Sequence, residues 1–136
     1  MEPVLTRRDV TRLEHSIFEV HRRTRTPATG TIELEALLDA ATVVRSAEVA
    51  PDVVTMNSRV VVEELPCLRR TTVTLVYPGD ADPERAKISV LAPLGRALLG
   101  SRVGDLRQLE VPGNAPRQVR IAGLDYQPEA QGEFDL

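Results

Sequence analysis

Apolar residues recur at helical spacing in the N-terminal third of the chain. They follow each other at intervals of three or four residues in two stretches: Val10, Leu13, Ile17 and Val20, then Leu34, Leu37, Ala41 and Val44. The positions between them are mostly polar or charged. This pattern is typical of helices that bury one narrow face, so it predicts two short helices.

The two stripes are separated by residues 24–30, which contain both a proline and a glycine, so a single helix cannot run through them. Thr31 is suited to cap the second helix, with Glu33 and Glu35 in its first turn. The simplest arrangement is an antiparallel helical hairpin with residues 23–31 at its tip. A helix of about 15 residues is only about 22 Å long. We therefore expect a short coiled-coil stub whose stability depends on packing against the rest of the chain.

The helical spacing of apolar residues ends at residue 50, and short runs rich in β-branched residues follow. This change predicts two parts, residues 1–50 and residues 51–136. The second part alternates most clearly where Val73, Leu75 and Tyr77 share one face. We predict one short helix over 93–99 and strands over 53–65, 71–77, 87–92, 106–111 and 117–126. One short helix among five strands indicates an α+β domain with a strongly bent antiparallel sheet.

Composition and charge disfavour several classes of function. The net charge of −3 argues against bulk binding to nucleic acid. The chain has no Trp, two Tyr and two Phe, so an aromatic-lined pocket is hard to build. One cysteine, Cys67, excludes an internal disulfide and suits a reducing cytoplasm. No stretch reads as a signal peptide or as the roughly 20 apolar residues of a membrane span, so we expect a cytoplasmic protein without membrane contact.

The glycine spacing from Gly95 to Gly100 is that of a phosphate-binding loop. However, Ser101 and Arg102 stand where such a loop needs Lys followed by Ser or Thr. A structural role in the short helix explains these glycines better.

Potential metal ligands are scattered. Asp80, Asp82 and Glu84 lie in a segment rich in Pro, Gly and Asp, which favours a solvated turn. His15 and His21 are six residues apart, on different helix faces, without a third ligand. We therefore predict no metal site and no cofactor, and His21 lacks any nucleotide-binding motif that would make it a phosphate acceptor.

Two C-terminal runs, VLAPLGRALLG at residues 90–100 and VGD at residues 103–105, resemble the signature of the C-terminal domain of the GreA/GreB transcription elongation factors. Three other stretches resemble the Rnk branch of that superfamily, the regulators of nucleoside diphosphate kinase: DVVTMNSRV at 52–60, TLVYP at 74–78 and YQPEA at 126–130. The resemblance covers essentially the whole chain. It implies an FKBP-like fold for the second part.

The resemblance also implies a partner. In this family the loop before the short helix contacts a coiled coil at the rim of the secondary channel of RNA polymerase. By resemblance the loop is Leu91, Ala92 and Pro93 here. Gre proteins typically have a polar or acidic residue and a Ser at the first two positions, so only Pro93 matches and the contact is expected to be weaker or differently shaped.

The predicted hairpin tip departs from the family pattern. Gre factors present acidic side chains in the polymerase active centre, where these help to hold a second Mg²⁺ that activates water for transcript cleavage. Here Val20 through Thr31 include Arg22, Arg23 and Arg25 and no Asp or Glu. A cationic tip repels Mg²⁺. We therefore predict a non-enzymatic, monomeric regulator that docks on polymerase without stimulating cleavage, and that contacts nucleic acid only indirectly, within the transcription complex.

Three questions stay open at this stage. The tip arginines are either a solvated loop or a contact for acidic protein surface or RNA phosphate. The FKBP resemblance leaves a peptide-binding or prolyl isomerase module as an alternative, although only Tyr77 and Tyr126 lie in the domain, with Phe134 in the tail. A direct nucleic-acid binder acting through the basic tip is the third possibility.

Overall fold

The structure is a computed structural model that describes residues 3–23, 29–109, 113 and 115–133. Over these residues the chain forms three α-helices and seven strands, besides short 3-10 turns. In chain order they are β1 (Val4–Thr6), α1 (Arg7–Arg23), α2 (Thr29–Ala40), β2 (Thr42–Val44), β3 (Arg59–Leu65), β4 (Arg69–Val76), β5 (Lys87–Ser89), α3 (Pro93–Leu98), β6 (Leu106–Leu109) and β7 (Arg117–Tyr126).

The two predicted N-terminal helices are present and contact each other. α1 buries Leu13 and Ile17, and α2 buries Leu34, as the spacing predicts. His21, near the end of α1, lies 3.4 Å from the Thr31 hydroxyl at the beginning of α2. The last turn of α1 therefore lies beside the first turn of α2.

Two details predicted for α2 are wrong. The helix begins at Thr29, so Thr31 lies inside it, fully buried, and does not cap it. The helix ends at Ala40, and Val44 belongs to strand β2 rather than to the helical stripe. Thr42 to Val44 are β-branched, and the Thr42 amide donates to the Pro3 carbonyl at 2.8 Å, so this segment pairs with β1 instead.

Strands β1 and β2 form a small parallel pair that the sequence analysis did not predict. β1 is also attached to the C-terminal part, because the Val4 amide donates to the Gly100 carbonyl at 3.2 Å. Gly100 has a φ of 76°, and a Cβ there would lie 2.7 Å from the Pro3 Cβ. Glycine at this position thus allows both the turn after α3 and the close approach of the N-terminal strand.

The main sheet has the strand order β5-β4-β3-β7-β6. Its pairs are antiparallel except that β5 runs parallel to β4, so the prediction of an antiparallel sheet is wrong for one edge strand. The β3–β7 register shifts twice, between Arg59 and Val60 and between Val61 and Val62. Such bulges bend a strand and increase its twist, which agrees with the α+β class and a curled sheet.

Two predicted strands are too long. Residues 53–58 lie outside the main sheet: Val53 forms only an isolated bridge with Arg102, and the chain then turns at Asn57, which adopts a φ of 66°. The Thr55 amide donates to the Ser58 hydroxyl across this turn, so β3 begins only at Arg59. β5 ends at Ser89 instead of residue 92, because the Ser89 carbonyl turns back to accept from the Ala92 amide at 3.0 Å. The predicted face of Val73, Leu75 and Tyr77 is buried, as expected.

Buried side chains from both parts of the chain form one cluster. Its members come from β1, α1, α2, α3 and the main sheet, and include Leu5, Leu13, Ile17, Leu34, Val60, Leu75, Leu98 and Ile121. The short helices therefore share one core with the sheet, and this packing adds to the stability that their own seam provides. Within the described ranges, no helix is long and apolar enough to cross a membrane.

Candidate functional site

The predicted docking loop, Leu91 to Pro93, connects β5 to α3 and is held by its own backbone. The Leu91 amide donates to the Ser89 hydroxyl at 3.1 Å, and Ala92 precedes the helix in extended conformation. Pro93 is the first helical residue, where its missing N–H costs nothing. All three loop residues are half-buried, so they present a partly accessible, well-ordered surface.

Arg96 ties this loop to helix α2. Its Nη1 donates to the Leu91 carbonyl oxygen, and its Nη2 lies 2.6 Å from the Glu33 carboxylate. Only 14% of the Arg96 side chain is exposed, so this ion pair is better shielded than a surface pair. The sequence analysis missed Arg96 and Glu33, although an arginine inside an otherwise apolar helix is a signal that could have identified the first of them.

Helix α2 also touches the loop directly. A Cβ placed on Gly30 would lie 2.7 Å from the Leu91 carbonyl oxygen, which no real side chain tolerates without a shift of the backbone. Gly30 belongs to the segment predicted as the hairpin tip. This end of the helical part is therefore adjacent to the predicted docking loop.

A shallow cavity of about 270 Å³ lies beside the loop. It is lined by Glu33, Leu37, Pro93, Arg96, Ala97 and Gln108. Pro93 is the one predicted loop residue in this lining. The lining combines three apolar side chains with Gln108 and the Glu33–Arg96 ion pair, a mixed surface that is typical of protein contacts rather than of a small-molecule pocket.

The tip arginines are less organised. Arg22 and Arg23 end α1 and are exposed, and Arg22 lies 3.7 Å from Glu19. Arg25 lies outside the described residues. Exposed pairs of this kind contribute little. The two described arginines thus form the basic end of a helix, where positive charge is favourable in any case.

A buried polar cluster was not predicted, although all three stretches that resemble Rnk contribute to it. The Asp9 carboxylate, 2% exposed, accepts a hydrogen bond from the Met56 amide at 3.0 Å and one from the Tyr77 hydroxyl at 3.5 Å. The Thr55 hydroxyl donates to Glu129 at 2.6 Å. These residues join α1, the turn before β3, the end of β4 and the C-terminal segment in one network.

Burial raises the pKa of Asp9 to about 6, and the nearby Glu129 carboxylate adds to this effect. The Met56 hydrogen bond and the charge of Arg12 act in the opposite direction. The guanidinium of Arg12 lies over the Tyr77 ring, 4.4 Å from its centroid. Burial likewise raises the pKa of Tyr77 well above its usual range.

The remaining motifs have structural roles. Gly95 lies inside α3, where a Cβ would lie 2.1 Å from the Ser89 carbonyl oxygen, so its glycine serves helix–strand packing. Among the described residues, no group of three His, Cys, Asp or Glu side chains is placed to hold a metal ion. Cys67 is exposed in the turn between β3 and β4.

Comparison with known proteins gives a consistent result. The family model for the C-terminal part of the transcription elongation factors GreA and GreB matches residues 49–126. The regulator of nucleoside diphosphate kinase from Escherichia coli K12 is 44% identical over 103 residues, which cover 76% of each protein. GreA from Clostridium perfringens strain SM101 is 37% identical over 86 residues, 63% of this chain and 54% of that protein.

A similar fold has been solved. The structure of a GreA/GreB transcription elongation factor from Nitrosomonas europaea matches with a TM-score of 0.74 and 37% identity. The match covers 93% of this chain and 99% of that one. The likeness therefore includes the N-terminal helices as well as the curled sheet.

Proposed function

Because this chain belongs to the GreA/GreB family of transcription elongation factors, and within it to the Rnk branch, we propose that it binds RNA polymerase at the rim of the secondary channel without stimulating transcript cleavage. In this proposal residues 51–136 form an FKBP-like domain that docks. Residues 1–50 form a short antiparallel hairpin, and the protein acts as a monomer.

The docking step is supported by the preformed loop from Leu91 to Pro93. The Ser89 hydroxyl, the Arg96 guanidinium and the close approach of Gly30 all hold the same few backbone atoms. A loop that is already ordered loses little conformational entropy when it binds. The half-buried Ala92 and Pro93 then offer a small apolar contact next to the Glu33–Arg96 pair.

The absence of cleavage stimulation rests on one observation: Val20 through Thr31 contain no carboxylate. A second Mg²⁺ needs hard oxygen ligands, and guanidinium groups repel it. α1 has 17 residues and so spans only about 25 Å. The packing of Gly30 on the loop further limits how far the helical part extends from the docking surface.

An isomerase site is disfavoured by the surroundings of Tyr77. Tyr77 is 8% exposed, and Arg12 stacks on its ring. A peptide-binding pocket would need such a ring to be open to solvent. Regulation of nucleoside diphosphate kinase, the activity in the name of the Escherichia coli relative, is proposed here as an indirect effect of transcription.

Docking is tested by retention on immobilised core RNA polymerase. We expect the wild-type protein to be retained and Ala92→Arg to be lost, because a long charged side chain then projects from the loop. Ala81→Arg is the matched control, since Ala81 lies in an exposed turn between β4 and β5. Equal retention of wild type and Ala92→Arg, both folded by circular dichroism, would refute docking through this loop.

Cleavage is tested on stalled elongation complexes with labelled RNA. We expect no short 3′ fragments above the level that polymerase releases alone, whereas a GreA protein with an acidic tip releases them. Fragment release by the wild-type protein at saturating concentration would overturn this part of the proposal, and would leave docking intact.

A further inference from the structure

A second cavity lies at the beginning of α1, where the chain enters the helical part. Its volume is about 500 Å³. It is lined by Arg7, Arg8, Thr11, Arg12, Arg45 and Ser46. All charged side chains in this lining are arginines, in a chain whose net charge is −3. Positive charge is therefore concentrated at one concave place on an acidic protein.

Backbone and side-chain geometry add to this positive field. Arg7 is the first residue of α1, so the positive end of the helix dipole lies at the cavity. Arg12 is half-buried and held over Tyr77, which restricts its guanidinium to one region. A partly fixed guanidinium loses less entropy on binding an anion than a free one.

Acidic side chains also interact with these arginines, Asp9 with Arg12 and Glu48 with Arg45. Glu48 lies 3.6 Å from Arg45, with 60% of the Glu48 side chain and 83% of the Arg45 side chain exposed. Exposed ion pairs of this kind are weak and screened by salt. A multiply charged anion can displace Glu48, because it offers Arg45 a stronger partner.

We propose that this arginine cavity binds a small molecule through a di- or triphosphate group. Guanidinium groups pair with phosphate oxygens in a bidentate manner, and several of them around one cavity suit a group that carries more than one negative charge. The volume lies within the roughly 300–1,000 Å³ of small-molecule sites. The site is independent of the docking loop, so the proposal does not rest on polymerase binding.

The compact ligand is favoured over a nucleic-acid strand for two reasons. Binding along a strand needs positive charge over an extended surface, whereas this chain is acidic apart from local clusters. It also needs open aromatic faces on which bases stack. The aromatic ring beside the cavity belongs to Tyr77, and Arg12 already covers it.

The test is calorimetric titration of the full chain with pyrophosphate, with orthophosphate and a short single-stranded oligonucleotide as further arms. We expect one pyrophosphate per chain and about tenfold weaker binding by Arg8→Gln and by Arg45→Gln, since each removes a charge-assisted contact. Arg85→Gln is the matched control, because Arg85 is 77% exposed and pairs with Asp82 at 3.6 Å, as Arg45 does with Glu48. It should bind like wild type.

Three results would overturn the proposal. The first is no saturable binding of pyrophosphate up to about 5 mM, well beyond the weakest affinities of specific sites. The second is equal loss in Arg85→Gln, which would indicate a general charge effect. The third is tighter binding of orthophosphate or of the oligonucleotide with the same dependence on Arg8 and Arg45, which would assign the cavity to another ligand.

Discussion

The buried Asp9 carboxylate is expected to lower the stability of the protein at neutral pH. It is 2% exposed and lies between α1 and the turn before β3. Burial raises its pKa from 3.8 to about 6. The Met56 amide and the charge of Arg12 offset part of this effect.

The sign of the pH dependence follows from these two values. Between pH 3.8 and about pH 6 the folded chain holds the Asp9 proton while the unfolded chain has released it. The stability that this group contributes is therefore complete below pH 3.8 and falls as pH rises to about 6. At about 1.4 kcal/mol for each pKa unit, the folded state has lost about 3 kcal/mol above pH 6.

Asp9→Asn removes the charge and keeps the shape. The amide oxygen can accept from the Met56 amide, and the amide nitrogen can donate to the Tyr77 hydroxyl oxygen. We expect the free energy of unfolding at pH 8 to rise by up to about 3 kcal/mol. At pH 4.5 the gain should shrink to about 1 kcal/mol, because folded Asp9 is then protonated.

Urea unfolding followed by circular dichroism at both pH values measures this difference. Asp80→Asn is the control, since Asp80 is an exposed acid in a turn and should change stability little at either pH. The reasoning is refuted if Asp9→Asn is less stable than wild type at pH 8, or if its effect is the same at both pH values. The contacts of the carboxylate with Met56 and Arg12 would then outweigh its loss of hydration.

Two other predictions concern the contact between α2 and the loop. Gly30→Ala should lower the free energy of unfolding by about 1–3 kcal/mol, as overpacking does, because its Cβ would lie 2.7 Å from a backbone oxygen. Gly79→Ala should be neutral, because a Cβ there has no atom within 4 Å. Thermal unfolding compares the two variants, and equal unfolding midpoints would contradict the predicted clash. Arg96→Met should weaken retention on immobilised polymerase more than Glu33→Gln, because it removes the hydrogen bond to Leu91 as well as the ion pair. The reverse order of retention would show that Arg96 does not position the loop.

The spacing of apolar residues was sufficient to predict those elements that residues close together in the sequence determine. The stripe containing Leu13 and Ile17 predicted α1, and the alternation of Val73 and Leu75 predicted β4, because side-chain direction repeats with a fixed period in each element. The short helix after Pro93 followed from the proline at its start and the glycine at its end.

Features that depend on distant partners were not predictable in the same way. Val44 fits a helical stripe, yet it lies in a strand because β1, some forty residues earlier, offers it a free edge. Asp9 carries no local sign of burial, since two arginines directly precede it. Its partners Met56, in the turn before β3, and Tyr77, directly after β4, are 47 and 68 residues away.

The contact at Gly30 changes how the two predicted functional segments relate. The sequence suggested a tip that projects and a loop that docks, as separate features. In the structure, Gly30 lies on the Leu91 carbonyl, and Arg96 connects that same carbonyl to Glu33 on α2. A partner that reshapes the loop must therefore also displace the beginning of α2, because the two share one oxygen atom. The helical part therefore supports the predicted docking loop through Gly30 and Glu33, and these contacts require neither great length nor an acidic tip.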